Sequence, residues 1–270
     1  MYPASFEYLR ALSVAEAISM VSNNEDAKFI AGGHSLIPLM KLRLATPSTL
    51  VDIGRIGSLS YVKDEGSQIA IGALTRHRDI EISDVLRSKA PMLAHVAGMV
   101  GDPSVRHRGT IGGSIAHGDG ASDLPAAVLA LDAVLVVEGP SGRREIKATD
   151  FFKGFLETAL GADEVLVEIR VPSDIKAWSY QKFNRRAQDW AIVGVAAVRN
   201  GTTRVSLVNM GATPLRATGT EAALASGASL DDAALRADEG IDPPADLNAS
   251  VEYRRHLAHV LTKRALSELG

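Results

Sequence analysis

The chain has 270 residues, 46% of them hydrophobic, with a formal net charge of -3 at pH 7 and no cysteine. This composition supports a sizeable core and argues against a nucleic-acid binder, which usually carries a strongly basic patch. Without cysteine the chain forms no disulfide, thiolate nucleophile or cysteine-ligated iron–sulfur cluster. Because no apolar run spans a bilayer and the N-terminus lacks signal-peptide features, we expect a cytoplasmic protein, compatible with membrane association through partners.

The first 57 residues have the pattern of a small α/β unit. Ser13 followed by Glu16 is a capping box and predicts a helix from residue 14. A strand over 27–31, a helix to about Arg43 and a strand over 50–53 follow. Such a unit would be marginally stable alone, so we expect it to pack against the rest of the chain.

A glycine pair lies between the predicted strand and the second helix of this unit. We call residues 31–36 the first glycine segment. Gly32 and Gly33 allow backbone N–H groups to approach an anion, and we expect Ser35 to cap the following helix, with Pro38 in its first turn. One such turn is often only a conformational necessity of a strand-to-helix connection.

The middle of the chain, residues 58–173, predicts a mixed unit. A hairpin over 59–63 and 68–71 is followed by helices near 75–85 and 91–100. Beyond residue 120 the pattern predicts a helix over 124–131, a strand over 134–138 with a return strand, and an alternating strand over 165–171.

This middle region contains a second glycine-rich stretch, with five glycines among residues 109–120. We call residues 110–114 the second glycine segment. Two such segments favour a ligand with two phosphates, or one long ligand bound at two places. Neither matches the G-x-G-x-x-G or G-x-x-x-x-G-K-[ST] patterns, and residues 33–37 lack the second glycine of a nucleophile elbow. The remaining interpretation is a diphosphate-binding site in which backbone dipoles hold the ligand, without an obligatory lysine or Mg²⁺.

From residue 174 the pattern changes to an antiparallel meander and helices. Strands are predicted over 178–183, 191–199 and 204–210, with a hairpin turn at Asn200-Gly201. A final amphipathic helix is predicted over 250–269. The whole order is that of an α+β protein with three subdomains.

Residues 31–38, Ala-Gly-Gly-His-Ser-Leu-Ile-Pro, and residues 110–114, Thr-Ile-Gly-Gly-Ser, resemble the two FAD-pyrophosphate loops of one family. This family comprises the flavin subunits of molybdenum hydroxylases of the xanthine dehydrogenase family, and the likeness is strongest to the medium subunits of aerobic carbon monoxide dehydrogenases. The resemblance implies a two-subdomain FAD-binding fold of the vanillyl-alcohol-oxidase/PCMH type, with subdomains 1–57 and 58–173. A small α+β C-terminal domain over 174–270 would follow.

The resemblance also implies a set of FAD contacts: Phe29, Ile30, Ala31, Gly32, Gly33, His34, Ser35, Leu36, Val100, Thr110, Ile111, Gly112, Gly113, Ser114, Asp123, Leu166 and Lys182. Ser114 stands where relatives often have Asn, and Val100 where they have a larger apolar residue. From the residues alone, Asp123 is equally well a helix cap, Leu166 a core residue and Lys182 a solvated strand lysine.

By the same resemblance, the chain would be an FAD-dependent oxidoreductase subunit with no catalytic side chain of its own. A large chain with a molybdopterin cofactor would oxidise the substrate, and a small chain with two [2Fe–2S] clusters would relay electrons to FAD and then to an external acceptor. A dimer of heterotrimers, a heterohexamer, is the implied assembly.

Other functions stay open at this stage. An N-heteroaromatic compound or an aldehyde is also compatible as the substrate, and only local sequence likeness favours carbon monoxide over them. A freestanding FAD oxidoreductase and a cofactor-free scaffold are further alternatives for the protein itself. We expect no metal site at His117, Asp119 and Asp123, because the other histidines lack metal-type spacing.

Overall fold

The computed structural model describes residues 1–270. Three larger β-sheets take their strands from successive parts of the chain, a fourth sheet has two strands, and helices are interspersed among them. The α+β class predicted from the sequence is therefore confirmed. None of the helices combines the length and hydrophobicity that crossing a bilayer requires.

The N-terminal unit is a three-stranded parallel sheet with two helices. Its elements are β1 (Glu7–Arg10), α1 (Val14–Ser22), β2 (Ala27–Ile30), α2 (Leu36–Lys41) and β3 (Thr49–Asp52), and the strand order is β1–β3–β2. The predicted helix start with Ser13 as its cap is confirmed, because Ser13 Oγ accepts the Glu16 N–H at 3.1 Å. Glu16 Oε2 accepts the N–H of Leu12, at 2.7 Å, rather than that of Ser13 as in a regular capping box. The polar strand β1 was not predicted, because its pairing partner β3 lies some forty residues away.

The middle unit contains a five-stranded antiparallel sheet, in the order β4–β5–β10–β6–β7, and a separate two-stranded ribbon of β8 and β9. After a 3₁₀ turn at Gly57–Leu59, its strands are β4 (Val62–Asp64), β5 (Gln68–Gly72), β6 (Val134–Gly139), β7 (Gly142–Lys147), β8 (Phe152–Gly154), β9 (Glu157–Thr158) and β10 (Val165–Pro172). The predicted hairpin and the alternating strand near 165–171 are both present.

Seven short helices belong to the middle unit: α3 (His77–Ile82), α4 (Asp84–Lys89), α5 (Pro91–Gly98), α6 (Pro103–Arg106), α7 (Ile111–His117), α8 (Asp123–Ala130) and α9 (Ala148–Phe151). The single helix predicted near 75–85 is wrong. Ser83 is extended and its hydroxyl accepts the Leu86 N–H at 3.3 Å, so it ends α3 and caps α4. A local side-chain bond of this kind competes with continuation of the helix.

The C-terminal unit is a four-stranded antiparallel sheet covered by helices. Its elements are β11 (Ala177–Phe183), β12 (Val193–Asn200), β13 (Thr202–Val208), β14 (Leu215–Arg216), α10 (Thr218–Ala225), α11 (Leu230–Ala234) and α12 (Val251–Glu268). The hairpin predicted at Asn200-Gly201 is confirmed, and Gly201 adopts a φ of 74°. Residues of β11, β12 and β13 join the main hydrophobic core of the middle unit, so these two units pack as one body.

Candidate functional site

The first glycine segment connects β2 to α2 and leaves its backbone donors open. Gly33 has a φ of +77°, a conformation that favours glycine. No protein acceptor receives the backbone N–H groups of five consecutive residues, Gly32, Gly33, His34, Ser35 and Leu36. A concave run of free N–H groups at the start of a helix is the arrangement that binds phosphate.

The predicted cap at Ser35 is wrong. Its backbone is helical rather than extended, and its side chain makes no capping hydrogen bond. A capping residue must be extended to turn its oxygen toward the next N–H groups. Of the N–H groups in the first turn of α2, that of Leu36 stays open, whereas that of Ile37 donates to Gly33 O at 3.0 Å; the other open donors belong to residues 32–35, just before the helix.

The second glycine segment is the start of a helix rather than an open loop. Thr110 caps α7, with Oγ1 accepting the Gly113 N–H at 3.1 Å. The N–H of Ile111 donates to Thr75 O and that of Gly112 to Ala73 O, at 3.0 and 2.8 Å. Most of the N–H groups in this segment are therefore already used inside the protein.

The first glycine segment lies against residues 108 and 109, which directly precede the second glycine segment. A Cβ atom placed on Gly32 would lie 2.3 Å from Arg108 O and 2.9 Å from Gly109 Cα, so the absence of a side chain at position 32 permits this approach. His34 Nε2 lies 3.4 Å from Ser104 O. Gly32 and His34 of the N-terminal unit therefore contact the middle unit just before its predicted residues 110–114.

A buried histidine lies beneath this junction and was not singled out from the sequence. His77 is 4% exposed, and its Nδ1 atom has no hydrogen-bond partner. A Cβ atom placed on Gly109 would lie 2.7 Å from the Cδ2 and Nε2 atoms of the His77 ring, so the ring leaves no room for a side chain at position 109. Burial lowers the pKa of His77 to about 4, with smaller contributions from His34 and Arg106. The imidazole is therefore neutral at pH 7.

Asp123 and Lys182, predicted from different parts of the chain, form a buried ion pair. Lys182 Nζ lies 2.8 Å from Asp123 Oδ2 and also donates to Met99 O at 3.0 Å. The Lys182 side chain is 3% exposed and the Asp123 side chain is 8% exposed. The alternative of a solvated strand lysine is therefore wrong, and the residue ties β11 to the start of α8.

A tyrosine completes this cluster. Tyr180 Oη donates to Asp123 Oδ1 at 2.5 Å. Both carboxylate oxygens thus accept from side chains of β11 instead of capping α8, and Ser122 makes no capping bond either. Tyr180 was missed, although it lies two residues before Lys182 and so shares its face of the strand.

Charge and burial oppose each other at Asp123. Burial raises the pKa of its carboxyl, whereas the Lys182 ammonium and the hydrogen bonds from Lys182 and Tyr180 favour the ionised form. Burial, together with Asp123, raises the pKa of Tyr180 well above its usual value. The phenol therefore stays protonated and acts as the donor.

The remaining predicted contacts have varied surroundings. Phe29 and Ile30 lie on β2, and Ala31 directly follows it. Val100 is half-buried against the main core, and Leu166 is buried within it on β10, where its role as a core residue is confirmed. Ser114 is half-buried on α7. The side chain of Asp119 makes a local hydrogen bond within its own loop, in which Oδ1 accepts the Ala121 N–H at 2.9 Å.

Comparison with protein families first establishes the class. Residues 4–174 match the family described as "FAD binding domain in molybdopterin dehydrogenase". Residues 178–269 match the "CO dehydrogenase flavoprotein C-terminal domain". The chain is therefore a two-part flavoprotein of the oxidoreductase class, and it belongs to the family of FAD-binding medium subunits of carbon monoxide dehydrogenase-type molybdenum hydroxylases.

Individual relatives span nearly the full chain. The carbon monoxide dehydrogenase medium chain of Hydrogenophaga pseudoflava is 42% identical over 99% of this chain and 98% of its own length. The glyceraldehyde dehydrogenase medium chain of Sulfolobus acidocaldarius is 39% identical over 100% of both chains. The solved Hydrogenophaga carbon monoxide dehydrogenase superimposes with a TM-score of 0.94 over 100% of this chain and 98% of the other, at 42% identity.

Proposed function

We propose that this chain is the electron-transfer subunit of its complex. It binds FAD, which receives electrons from [2Fe–2S] clusters on a small partner chain and delivers them to an external acceptor. The observation that carries the proposal is the run of five free N–H groups at residues 32–36, which suits the diphosphate of a dinucleotide. The lack of cysteine supports it, since clusters must then be held by another chain.

In this proposal the first glycine segment holds the FAD diphosphate. Its N–H groups have no protein acceptor, so no internal hydrogen bond has to break when the anion binds. Phe29 to Leu36 would contact the cofactor from the N-terminal unit, and Thr110 to Ser114 would close the site from the middle unit. Because the N–H groups of the second segment are mostly used, its contribution would come from the Thr110 and Ser114 side chains and the exposed edge of Gly113.

The buried pair would contribute the remaining polar contacts. An ammonium has three donors, and Lys182 uses two of them, on Asp123 and Met99. A carboxylate has about four lone-pair positions, so Asp123 keeps acceptor capacity for cofactor hydroxyls. Val100 and Leu166 would supply apolar contacts. Because Lys182 and Asp123 neutralise each other, their effect on the flavin is that of a local dipole rather than of a free cation.

Bound FAD supplies the redox chemistry, whereas this chain's residues bind and orient it. We assign the two FAD-binding subdomains to 1–57 and 58–173 and the C-terminal domain to 174–270. Association with a large molybdenum chain and a small iron–sulfur chain, in a dimer of heterotrimers in the cytoplasm, completes the proposal and rests on the family resemblance.

We favour carbon monoxide as the substrate of the complex. The relative named for carbon monoxide is 42% identical to this chain, and the relative named for glyceraldehyde is 39% identical. Sequence identity therefore favours carbon monoxide only slightly. An aldehyde oxidised by the large chain is therefore the second candidate.

Absorption spectroscopy of the chain, isolated with the partners that co-purify, tests the proposal. We expect flavin and iron–sulfur absorbance together with one larger and one smaller chain, and bleaching of the flavin by carbon monoxide. Bleaching by glyceraldehyde alone would select the second candidate. A yellow single chain without clusters would contradict the complex, and protein that takes up no FAD would contradict the flavin function itself.

A further inference from the structure

The side chain of Tyr180 connects the C-terminal unit to the buried carboxylate of the middle unit. The residue is 7% exposed, and its hydroxyl group reaches Asp123 Oδ1 at 2.5 Å. Its ring lies against His95 of α5, with centroids 6.5 Å apart. Tyr180 is not among the predicted cofactor contacts. Its ring packs in the main hydrophobic core, but the hydrogen bond of its hydroxyl group to Asp123 is not explained by that packing.

The carboxylate of Asp123 needs two anchors to hold one orientation. Rotation about the last torsion of an aspartate is soft, so a single flexible partner leaves its second oxygen free to turn. Lys182 holds Oδ2 from one side, at the end of a long side chain. Tyr180 holds Oδ1 from a rigid ring two residues earlier on β11. Together these donors fix both oxygens.

We propose that Tyr180 is a positioning residue of the flavin site, which fixes the Asp123 carboxylate so that its unused lone pairs face the cofactor. This role rests on the proposed function, because it requires that Asp123 contacts FAD. It also makes the cofactor site depend on the docking of the C-terminal unit, since Tyr180 and Lys182 both lie on β11.

The chain offers a matched control in a second tyrosine–carboxylate pair. Tyr61 Oη donates to Glu168 Oε2, also at 2.5 Å and also partly buried. Neither residue is a predicted cofactor contact. Changing Tyr61 to Phe therefore removes the same type of hydrogen bond from the protein without touching Asp123.

The experiment compares the FAD affinity of three versions of the protein, each purified together with its partners and then stripped of FAD. Wild type, Tyr180→Phe and Tyr61→Phe are titrated with FAD and followed by flavin fluorescence, and thermal unfolding checks that each variant is folded. We expect Tyr180→Phe to weaken FAD binding about ten-fold, as for loss of a hydrogen bond to a charged group, and Tyr61→Phe to change it less than two-fold.

A pH profile separates positioning from general loosening of the fold. Without the phenol donor the pKa of Asp123 rises further, so FAD affinity in Tyr180→Phe should begin to fall at a higher pH than in wild type. Lys182 faces the carboxylate in every variant. His95 on α5 and His117 on α7 also titrate in this region, but wild type and the Tyr61→Phe control retain both, so a shift confined to Tyr180→Phe reports on Asp123.

The outcomes distinguish the two proposals. If wild type binds FAD and Tyr180→Phe matches Tyr61→Phe in affinity and pH profile, the positioning role is overturned while the flavin function stands. If wild type binds no FAD, the proposed function fails, and the role of Tyr180 fails with it. Weaker binding and a shifted profile in Tyr180→Phe alone support the role.

Discussion

The two glycine segments look alike in the sequence but differ in what their backbones do. Residues 32–36 leave five consecutive N–H groups without a protein acceptor, whereas Ile111, Gly112, Gly113 and Ser114 all donate inside the protein. In the first segment the N–H groups stay without a protein acceptor, and we propose that they bind the FAD diphosphate. In the second, Gly112 lets α7 pack closely against Ala73. A glycine pair alone therefore does not distinguish anion binding from close packing, but an account of each N–H group does.

The largest effect on stability should come from the packed segment. A Cβ on Gly112 would lie 2.5 Å from Ala73 Cβ and 2.6 Å from Ala73 O, so Gly112→Ala forces the backbone apart. We expect a loss of about 3 kcal/mol in unfolding free energy and a fall of roughly 5–10 °C in Tm, measured by calorimetry. Gly57→Ala, where nothing lies within 4 Å of the new Cβ, is the control. Equal Tm values for the two variants would contradict the packing role.

The next effect is an acid-dependent one at His77, beneath the junction of the two segments. Because its pKa is about 4 in the folded protein and about 6.5 when unfolded, the unfolded chain binds the proton first as pH falls. The free energy of unfolding changes little above pH 6.5 and falls between pH 6.5 and about pH 4, with a loss of about 2–3 kcal/mol at pH 4.5.

Urea unfolding at pH 7 and pH 4.5 measures this change. His77→Gln should remove most of the pH dependence assigned to His77, whereas His256→Gln, at an exposed histidine, should leave it in place. An unchanged difference between the two pH values in His77→Gln would show that the acid sensitivity has another source.

In the open segment the main effect should be on FAD affinity rather than on stability. Gly33→Ala places a side chain at a φ of +77°, which costs about 1–2 kcal/mol and distorts the run of N–H groups. We expect FAD affinity to fall at least ten-fold in fluorescence titrations. Gly227→Ala has the same strain, at a φ of +82° with nothing near its Cβ, and should lower stability without weakening FAD binding. Equal affinities would remove the first segment from the cofactor site.

The smallest effect concerns the cap of the second segment. Thr110→Ala removes the hydroxyl that accepts the Gly113 N–H, with an expected loss of about 1 kcal/mol in denaturant unfolding. Thr110→Ser retains the hydroxyl and should keep most of that stability. If serine is as destabilising as alanine, the cap is not what stabilises the start of α7.

Local signals predicted much of the fold correctly. The helix start at Ser13 and Glu16 and the hairpin at Asn200-Gly201 depend on hydrogen bonds and dihedral angles within a few residues, and both are present. Strand β1 was missed because it is exposed and polar, and is fixed only by parallel pairing with the distant β3. Pairing over such a separation leaves no local pattern.

The candidate site was predicted only in part, because some of its features are local in the sequence and others depend on distant contacts. The glycine segments carry their own sequence pattern, but that pattern did not reveal that Ser35 is helical and makes no capping bond, or that the N–H groups of residues 32–36 stay open. Lys182 is buried because Asp123 at the start of α8 and Met99 O at the end of α5 both reach it, and no local pattern encodes these distant contacts. Tyr180 could have been found from its two-residue spacing to Lys182, since both side chains share one face of the strand.

Amide hydrogen exchange of the FAD-loaded and FAD-stripped protein distinguishes the two glycine segments. We expect FAD to slow exchange strongly over residues 32–36, where the N–H groups have no acceptor in the protein, and to change it little over residues 111–114, which are already hydrogen-bonded. Protection of 111–114 without protection of 32–36, in protein that demonstrably binds FAD, would contradict the assignment of the first glycine segment as the diphosphate site.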